Sequence, residues 1–219
     1  MPPKPMKIAH ENGPNDARTA VSGDELRDAA ANCRECPLGE RATQTVWGEG
    51  PRHAPLMLVG EQPGDREDRA GRPFVGPAGQ LLDRALADLG WRRGELYVTN
   101  AVKHFKYEMR GKIRKHKTPG QLELLACQHW LDSEIDAIAP GAIIALGAVA
   151  ARALLGRPVR VLLQRGSWLL RSDAIPVLIT LHPSALLRGP PEQRDVEYAA
   201  WLRDLAHAKS PPKDASNAG

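Results

Sequence analysis

Four stretches of this chain carry side chains from which a reaction could be built. In GKIRKHKTPG, Lys112, Arg114, Lys115 and Lys117 surround a single imidazole, His116. From Lys103 to Lys117 there are seven Lys or Arg against one acid, Glu108, although the whole chain carries a formal charge of only +4. Clustered cations release counterions from a phosphate backbone, so a nucleic-acid partner is one reading; a solvated basic loop is the other. Neighbouring cations also disfavour a protonated imidazole, which leaves His116 neutral and nucleophilic near pH 7.

The second stretch, GEQPGDREDRAGRPFVGPAG (60–79), is rich in Gly and leads into a helix start, a geometry that presents backbone N–H groups to an anion. It lacks both the Gly-Lys-Ser/Thr ending of a Walker loop and the G-x-G-x-x-G pattern, which argues against a nucleotide cofactor. Glu61 is placed to orient a water or stabilise positive charge. Phe74, one of only two phenylalanines, reads either as a plug under the loop or as a stacking platform for a flat ring. Asn100, in VTN, is a turn-former or an amide able to read both a donor and an acceptor on a base edge. His182, in LHPSALLR, is as compatible with a structural role as with a functional one.

Cys33-x-x-Cys36 with a lone Cys127 makes three thiols, an odd number for a disulfide framework and one donor short of a four-coordinate site. Zinc or an iron–sulfur cluster would need a fourth ligand, and His104 in AVKHFK is a candidate. Otherwise Cys127 is simply a buried helix residue.

The elements that must position these groups follow from the pattern. Ser22 followed by Glu25 opens a capped helix. APLMLVG (54–60), ELYVTNAV (95–102), AIIALG (142–147) and IPVLITL (175–181) are short apolar runs of the kind buried on both faces of a sheet, and VRVLLQRGSWLL holds a further strand. Residues 76–90, 119–140, AVAARALLG and the stretch from Pro190 to Ala208 read as helices, with Pro77 at a first turn and Gly90 at a C-terminal cap. Alternation of strand and helix predicts one α/β domain of three layers, α/β/α, around a central, mainly parallel four-stranded sheet. Functional residues of such sheets gather past the carboxyl ends of the strands, which sends the 60–79 loop, Asn100 and His182 to one rim.

Together these motifs resemble the uracil-DNA glycosylase superfamily, in its iron–sulfur, family-four-like branch. GEQPGDREDRAGRPFVGPAGQLLDRAL is similar to that branch's first active-site motif, LHPSALLR to its second, and CRECPLGERATQTVWGEG to its start. The likeness runs from about Asp24 to Ala208. KIRKHKTP resembles the basic insert of the X-type, self-crosslinking subgroup, with His-Lys-Thr-Pro intact. Ordinary family-four members carry Cys where His104 stands, as the X-type does not. The resemblance implies a 4Fe-4S cluster held by Cys33, Cys36, His104 and Cys127, with zinc as the alternative. It implies that Phe74 stacks on uracil and that Gln62, Asp65 and Asn100 help bind it. His182 would donate to the uracil oxygen that gathers charge, a contribution on the order of 3 kcal/mol. Lys112, Arg114, Lys115, Lys117 and Ser184 would hold the DNA backbone. His116 would capture the sugar C1′, with Glu61 stabilising the cationic sugar and orienting His116, so that one turnover is the limit. The rivals are a multiple-turnover hydrolytic glycosylase and a non-catalytic single-strand-binding module with a structural metal.

No apolar run approaches the roughly 18 residues of a membrane span, and the first residues lack a secretory pattern. A cytoplasmic monomer acting on uracil-containing DNA, with single strands preferred, is expected. Residues 1–21 are expected to form a flexible arm, 22–208 the glycosylase-like domain and 209–219 a tail.

Overall fold

The apolar runs become the strands of one sheet because helices cover both of its faces. The computed structural model describes residues 23–212. Ser22, the expected arm and the end of the expected tail lie outside them. Helices α1 (Gly23–Ala31) and α2 (Leu38–Arg41) precede β1 (Leu56–Gly60), α3 (Asp65–Ala70), α4 (Pro77–Asp88) and β2 (Tyr97–Asn100). Then come β3 (Tyr107–Arg110), β4 (Ile113–His116), α5 (Gln121–Ile138), β5 (Ala142–Leu146) and α6 (Ala148–Leu155). The chain closes with α7 (Val161–Gln164), β6 (Trp168–Leu170), β7 (Pro176–Thr180), α8 (Pro183–Arg188) and α9 (Arg194–Ala206).

The central sheet runs β2-β1-β5-β7-β6, with the first four strands parallel and β6 antiparallel to β7. Five strands replace the four expected. An antiparallel edge strand needs only a short return, so Trp168–Leu170 joins the sheet without a crossover helix. The start of the same apolar run, VLLQ, is instead the helical turn α7.

Side chains alternate across the sheet in period two, yet both sets are apolar. Met57, Val59, Ile143, Ala145, Val177 and Ile179 pack with α1, α5 and α6. Leu58, Ile144, Leu146 and Leu178 pack with α4 and α9. At roughly 1.5–3 kcal/mol for each fully buried large side chain, these two layers supply the main driving force. Among the described residues no helix is long and apolar enough to cross a membrane.

Several elements were not expected, among them α3 and a hairpin. Within the 60–79 stretch, α3 forms because Glu67 at its third position reaches back to the backbone N of Gly64 at 3.1 Å, while Asp65, Glu67 and Asp68 suit the positive end of the helix. The basic segment is a β-hairpin, β3 paired antiparallel with β4 and turned at Gly111, whose φ of 60° is left-handed. Its two strands pair with each other and stay off the central sheet.

One buried charge pair lies beside the sheet. Lys103 Nζ sits 2.5 Å from Glu134 Oε2, with both side chains at most 1% exposed. Glu134 also accepts from Gly48 N, Tyr97 OH and Thr99 Oγ1, and Lys103 donates to Thr99 Oγ1 and the Asn100 carbonyl. A buried pair is tolerable only when its remaining donors and acceptors are satisfied in this way.

Candidate active site

A cleft of about 1040 Å³ opens at the carboxyl ends of the parallel strands, and Glu61, Gln62, Asp65, Phe74, Asn100, His116, His182 and Ser184 all line it. The rim expected from the sheet topology therefore exists, and the hairpin adds His116 to it.

Phe74 is held in a shape few residues adopt. Its φ of 54° lies in the left-handed region, and its carbonyl and that of Pro73 accept from Arg93 at 3.2 and 2.8 Å. Glu67 braces the same loop by accepting from Val75 N and Gly76 N. Two glycines make the room. A Cβ on Gly79 would stand 1.9 Å from the Phe74 carbonyl oxygen, and one on Gly60 would stand 2.4 Å from Asn100 Oδ1 and 2.6 Å from Phe74 Cζ. Phe74 is only 5% exposed and packs with the α4 layer, so it plugs the loop and also borders the cleft.

His182 caps α8. Its Nδ1 accepts from Ser184 N at 3.2 Å and lies 2.8 Å from Ser184 Oγ. An Nδ1 that accepts leaves the proton on Nε2, so the ring offers a donor. Burial, aided by Arg188 and then His116, lowers the His182 pKa to about 4, so the ring is neutral near pH 7. Its ring centre lies 5.9 Å from that of Phe74. Ser184 Oγ also accepts from Arg188 Nη1 at 3.1 Å, which makes Ser184 a link between His182 and Arg188.

The hairpin's register decides where His116 points. Tyr107 pairs with His116 and Met109 with Arg114, so these four share one face, while Glu108, Lys115, Arg110 and Ile113 share the other. Arg114 locks the first face onto the domain. Its Nε lies 2.5 Å from Asp65 Oδ1 and its Nη1 2.6 Å from Asp68 Oδ2, and its guanidinium lies over the rings of Phe105 and Tyr107. Gln62 pins the hairpin's base, accepting from Lys106 N and donating to the carbonyls of Lys106 and Lys117. His116 Nε2 thereby reaches within 3.3 Å of Glu61 Oε1. The approach is not aligned as a hydrogen bond, and Glu61 Oε1 is buried without another partner.

Burial raises the Glu61 pKa against an opposing pull from Arg188. Burial first and Arg188 second lower that of His116. The direction for His116 is the one the sequence suggests, but its cause is the cleft wall and Arg188 rather than the hairpin lysines. The basic residues themselves divide. Arg114 is occupied by Asp65 and Asp68, and Lys117 pairs with Glu108 at 3.2 Å. Lys112 lies in the turn and Lys115 on the outer face, and among the described residues neither forms an ion pair.

A second constellation lies under the first. Cys33 and Cys127 are buried, Cys36 is partly so, and none is in a disulfide. Cys33 Sγ accepts from Trp130 Nε1 at 3.3 Å and Cys127 Sγ from Lys103 N at 3.2 Å. Burial pushes the Cys127 thiol up to about 11, against the pull of Lys103 and with smaller contributions from Cys36 and Cys33. His104 is 2% exposed, and its Nε2 lies 2.9 Å from Thr45 Oγ1, whose own proton goes to the Ala30 carbonyl. That assigns the ring proton to Nε2 and leaves Nδ1 a bare lone pair, buried and without a partner. A neutral imidazole oriented through its other nitrogen is a ligand's arrangement. Among the described residues no three His, Cys, Asp or Glu side chains converge as a single metal ion requires. Three thiols and an imidazole lone pair are donors of the kind that a metal ion or an iron–sulfur cluster takes.

Three contributors escaped the sequence reading. Arg188 lies within LHPSALLR, but only its position four residues after Ser184 on α8 brings it to the cleft. Glu67 and Lys103 act through buried carboxylate and ammonium contacts that spacing alone does not reveal.

Residues 47–206 match the family model described as the uracil DNA glycosylase superfamily. The chain is 41% identical over 189 residues to a Type-4 uracil-DNA glycosylase of Thermotoga maritima, a match covering 84% of this chain and 92% of that protein. It is 40% identical over 175 residues to a Type-4 uracil-DNA glycosylase of Pyrobaculum aerophilum, covering 76% and 85%. A Type-4 uracil-DNA glycosylase of Sulfurisphaera tokodaii is 32% identical over 192 residues, covering 84% of each chain. With a three-layer fold, a cleft at the strand ends and likeness over most of its length, this chain belongs to the uracil-DNA glycosylase superfamily.

Proposed function

We propose that this protein removes uracil from DNA, preferentially from single strands, and that His116 then captures C1′ of the sugar, so that each molecule acts once in the manner of the X-type subgroup. The observation that carries the capture step is the place of His116 within 3.3 Å of Glu61, in a cleft shared with Phe74, Asn100 and His182. The names of the relatives support the excision step.

Extruding the nucleotide costs a few kcal/mol and is cheapest where no partner strand must be abandoned. Phe74 and Asn100 then hold the base, with backbone groups beside Gln62, whose side chain is committed to the hairpin. The C1′–N1 bond breaks with its electron pair passing to the uracil, and Nε2–H of His182 donates to the oxygen where charge gathers. The sugar becomes an oxocarbenium cation beside Glu61. A ring nitrogen of neutral His116 donates its lone pair to C1′, and the imidazole's remaining proton passes to solvent. With the uracil gone, the alkylated ring is a poor leaving group.

Lys112, Lys115 and Arg188 remain to meet phosphate, whereas Arg114 and Asp65 serve as the hairpin's anchor. Cys33, Cys36, His104 and Cys127 would hold an iron–sulfur cluster. Once bound, it would tie α1 to α5 and to the segment after β2.

The test is a denaturing gel of the protein with a labelled uracil-containing single-stranded oligonucleotide. A shifted band that survives boiling in detergent is expected for the wild type and not for His116→Ala or for a thymine control. Strand breakage after alkali without a shift, and uracil released in excess of protein, would establish a hydrolytic enzyme of multiple turnover. Binding without either product would leave a single-strand-binding module.

A further inference from the structure

The excision chemistry assigns nothing to Lys103, although its side chain is wholly buried. The ammonium has three protons and meets three acceptors: Thr99 Oγ1 at 2.8 Å, Glu134 Oε2 at 2.5 Å and the Asn100 carbonyl at 2.7 Å. Its backbone is committed as fully. Lys103 N donates to Cys127 Sγ at 3.2 Å, and the Lys103 carbonyl accepts from Val46 N at 2.8 Å. A buried ion pair is a poor source of stability, because the desolvation of two charges offsets their attraction, and an apolar pair of similar volume often serves a fold better. The contact that an apolar pair could not make is the one to Asn100.

Asn100 ends β2, is 2% exposed and lines the cleft. Its placement turns on one peptide group, that between Asn100 and Ala101. The N–H of that group donates to the Gly60 carbonyl at 2.9 Å, and its C=O accepts from Lys103 Nζ. The next amide, Val102 N, donates to the Glu61 carbonyl at 3.0 Å. The peptide is thus pinned on one side to the end of β1 and on the other to an ammonium that cannot shift without leaving acceptors unpaired. A planar unit held at two opposite points cannot rotate, so the direction in which the Asn100 side chain leaves the backbone is fixed.

We propose that Lys103 is a positioning residue for uracil excision, holding the Asn100 carbonyl so that the Asn100 amide meets the edge of the base. This rests on the reading of the cleft as a site for uracil in DNA. Glu134 and Thr99 serve to hold the ammonium, and the buried charge is kept for alignment rather than for stability. Lys103 touches neither base nor sugar and acts through Asn100.

Two variants separate alignment from stability. Glu134→Gln leaves the ammonium without its counter-charge but keeps its contact with the Asn100 carbonyl. Lys103→Met/Glu134→Gln removes both charges and the donor to Asn100, while Gly48 N and Tyr97 OH keep an acceptor in the amide oxygen. Urea denaturation, metal content and single-turnover uracil release from a uracil-containing single strand are measured for both beside the wild type. The single variant should unfold at a lower urea concentration than the double, with its maximal rate of release within a few-fold of wild type. In the double variant the maximal rate should fall about tenfold or more, since a displacement of about 1 Å can cost on the order of a hundredfold. Its half-saturating DNA concentration should change little, because phosphate contacts lie elsewhere. Stability and rate then run in opposite orders, which a merely structural lysine does not produce. Rates that follow stability, or a double variant as fast as wild type, overturn the proposal. So does a loss of metal from the double variant in step with its rate, which assigns Lys103 to the thiol site through Cys127. Absence of uracil release by the wild type refutes the excision reading and the inference with it, whereas release by the wild type with an undiminished double variant sinks the inference alone.

Discussion

Gly60 occupies the last position of β1, where its missing side chain leaves space claimed by both Asn100 and Phe74. Gly60→Ala should therefore move together the two groups proposed to hold the base; displacements of about 1 Å cost on the order of a hundredfold in rate. Single-turnover uracil release should fall at least tenfold, with far-ultraviolet circular dichroism unchanged. His182 makes a second prediction at this scale. Its folded-state pKa, about 4, lies below the ordinary 6.5, so its contribution to stability is complete above 6.5 and is lost as pH falls toward 4. Urea denaturation across that window should show a steeper decline for the wild type than for His182→Gln. Glu61, Asn100 and His182 were legible as candidates in the sequence, because two of them lie at strand ends and His182 lies two residues past one, where topology sends function. The tautomer of His182 was not legible, because it depends on a helix cap made by Ser184.

At the scale of elements the hairpin matters most. Arg114 has an 11% exposed side chain, and Asp68 beneath it is fully buried, so the pair is an anchor and not a surface ion pair of negligible worth. Arg114→Met should loosen the face that carries His116. We expect crosslink yield to fall by roughly tenfold or more, with uracil release within a few-fold of wild type. Equal loss of both would show that the anchor holds the whole cleft. The hairpin was hidden in the sequence because Met109 and Ile113 are 55% and 64% exposed, and Glu108, Arg110 and Lys115 fill its outer face. No apolar alternation survives in such a ribbon. α3 was hidden differently: its Gly64-to-Glu67 capping box was present, but the surrounding glycines read as loop.

Across the whole molecule, the parallel sheet was legible because strands buried on both faces must be continuously apolar, as at Leu56–Gly60 and Ala142–Leu146. The buried polar core was not, since Lys103 and Glu134 are 31 positions apart. Glu134→Leu should cost about 3–5 kcal/mol by leaving an ammonium buried without its counter-charge. Lys103→Met should cost less, because the carboxylate keeps its donors on Gly48, Tyr97 and Thr99. Equilibrium denaturation of the two variants decides the order.

The hairpin's strands pair only with each other, and they stand in the chain between β2 and α5. Exchanging or shortening the hairpin would shift the register of no strand in the central sheet, provided that Asp68 keeps a partner for its buried carboxylate. On the proposed reading, whether the protein survives its own reaction is then written in a detachable ribbon. A lineage could pass between reusable enzyme and self-sacrificing tag by editing one insert, leaving the scaffold that finds and reads the base untouched.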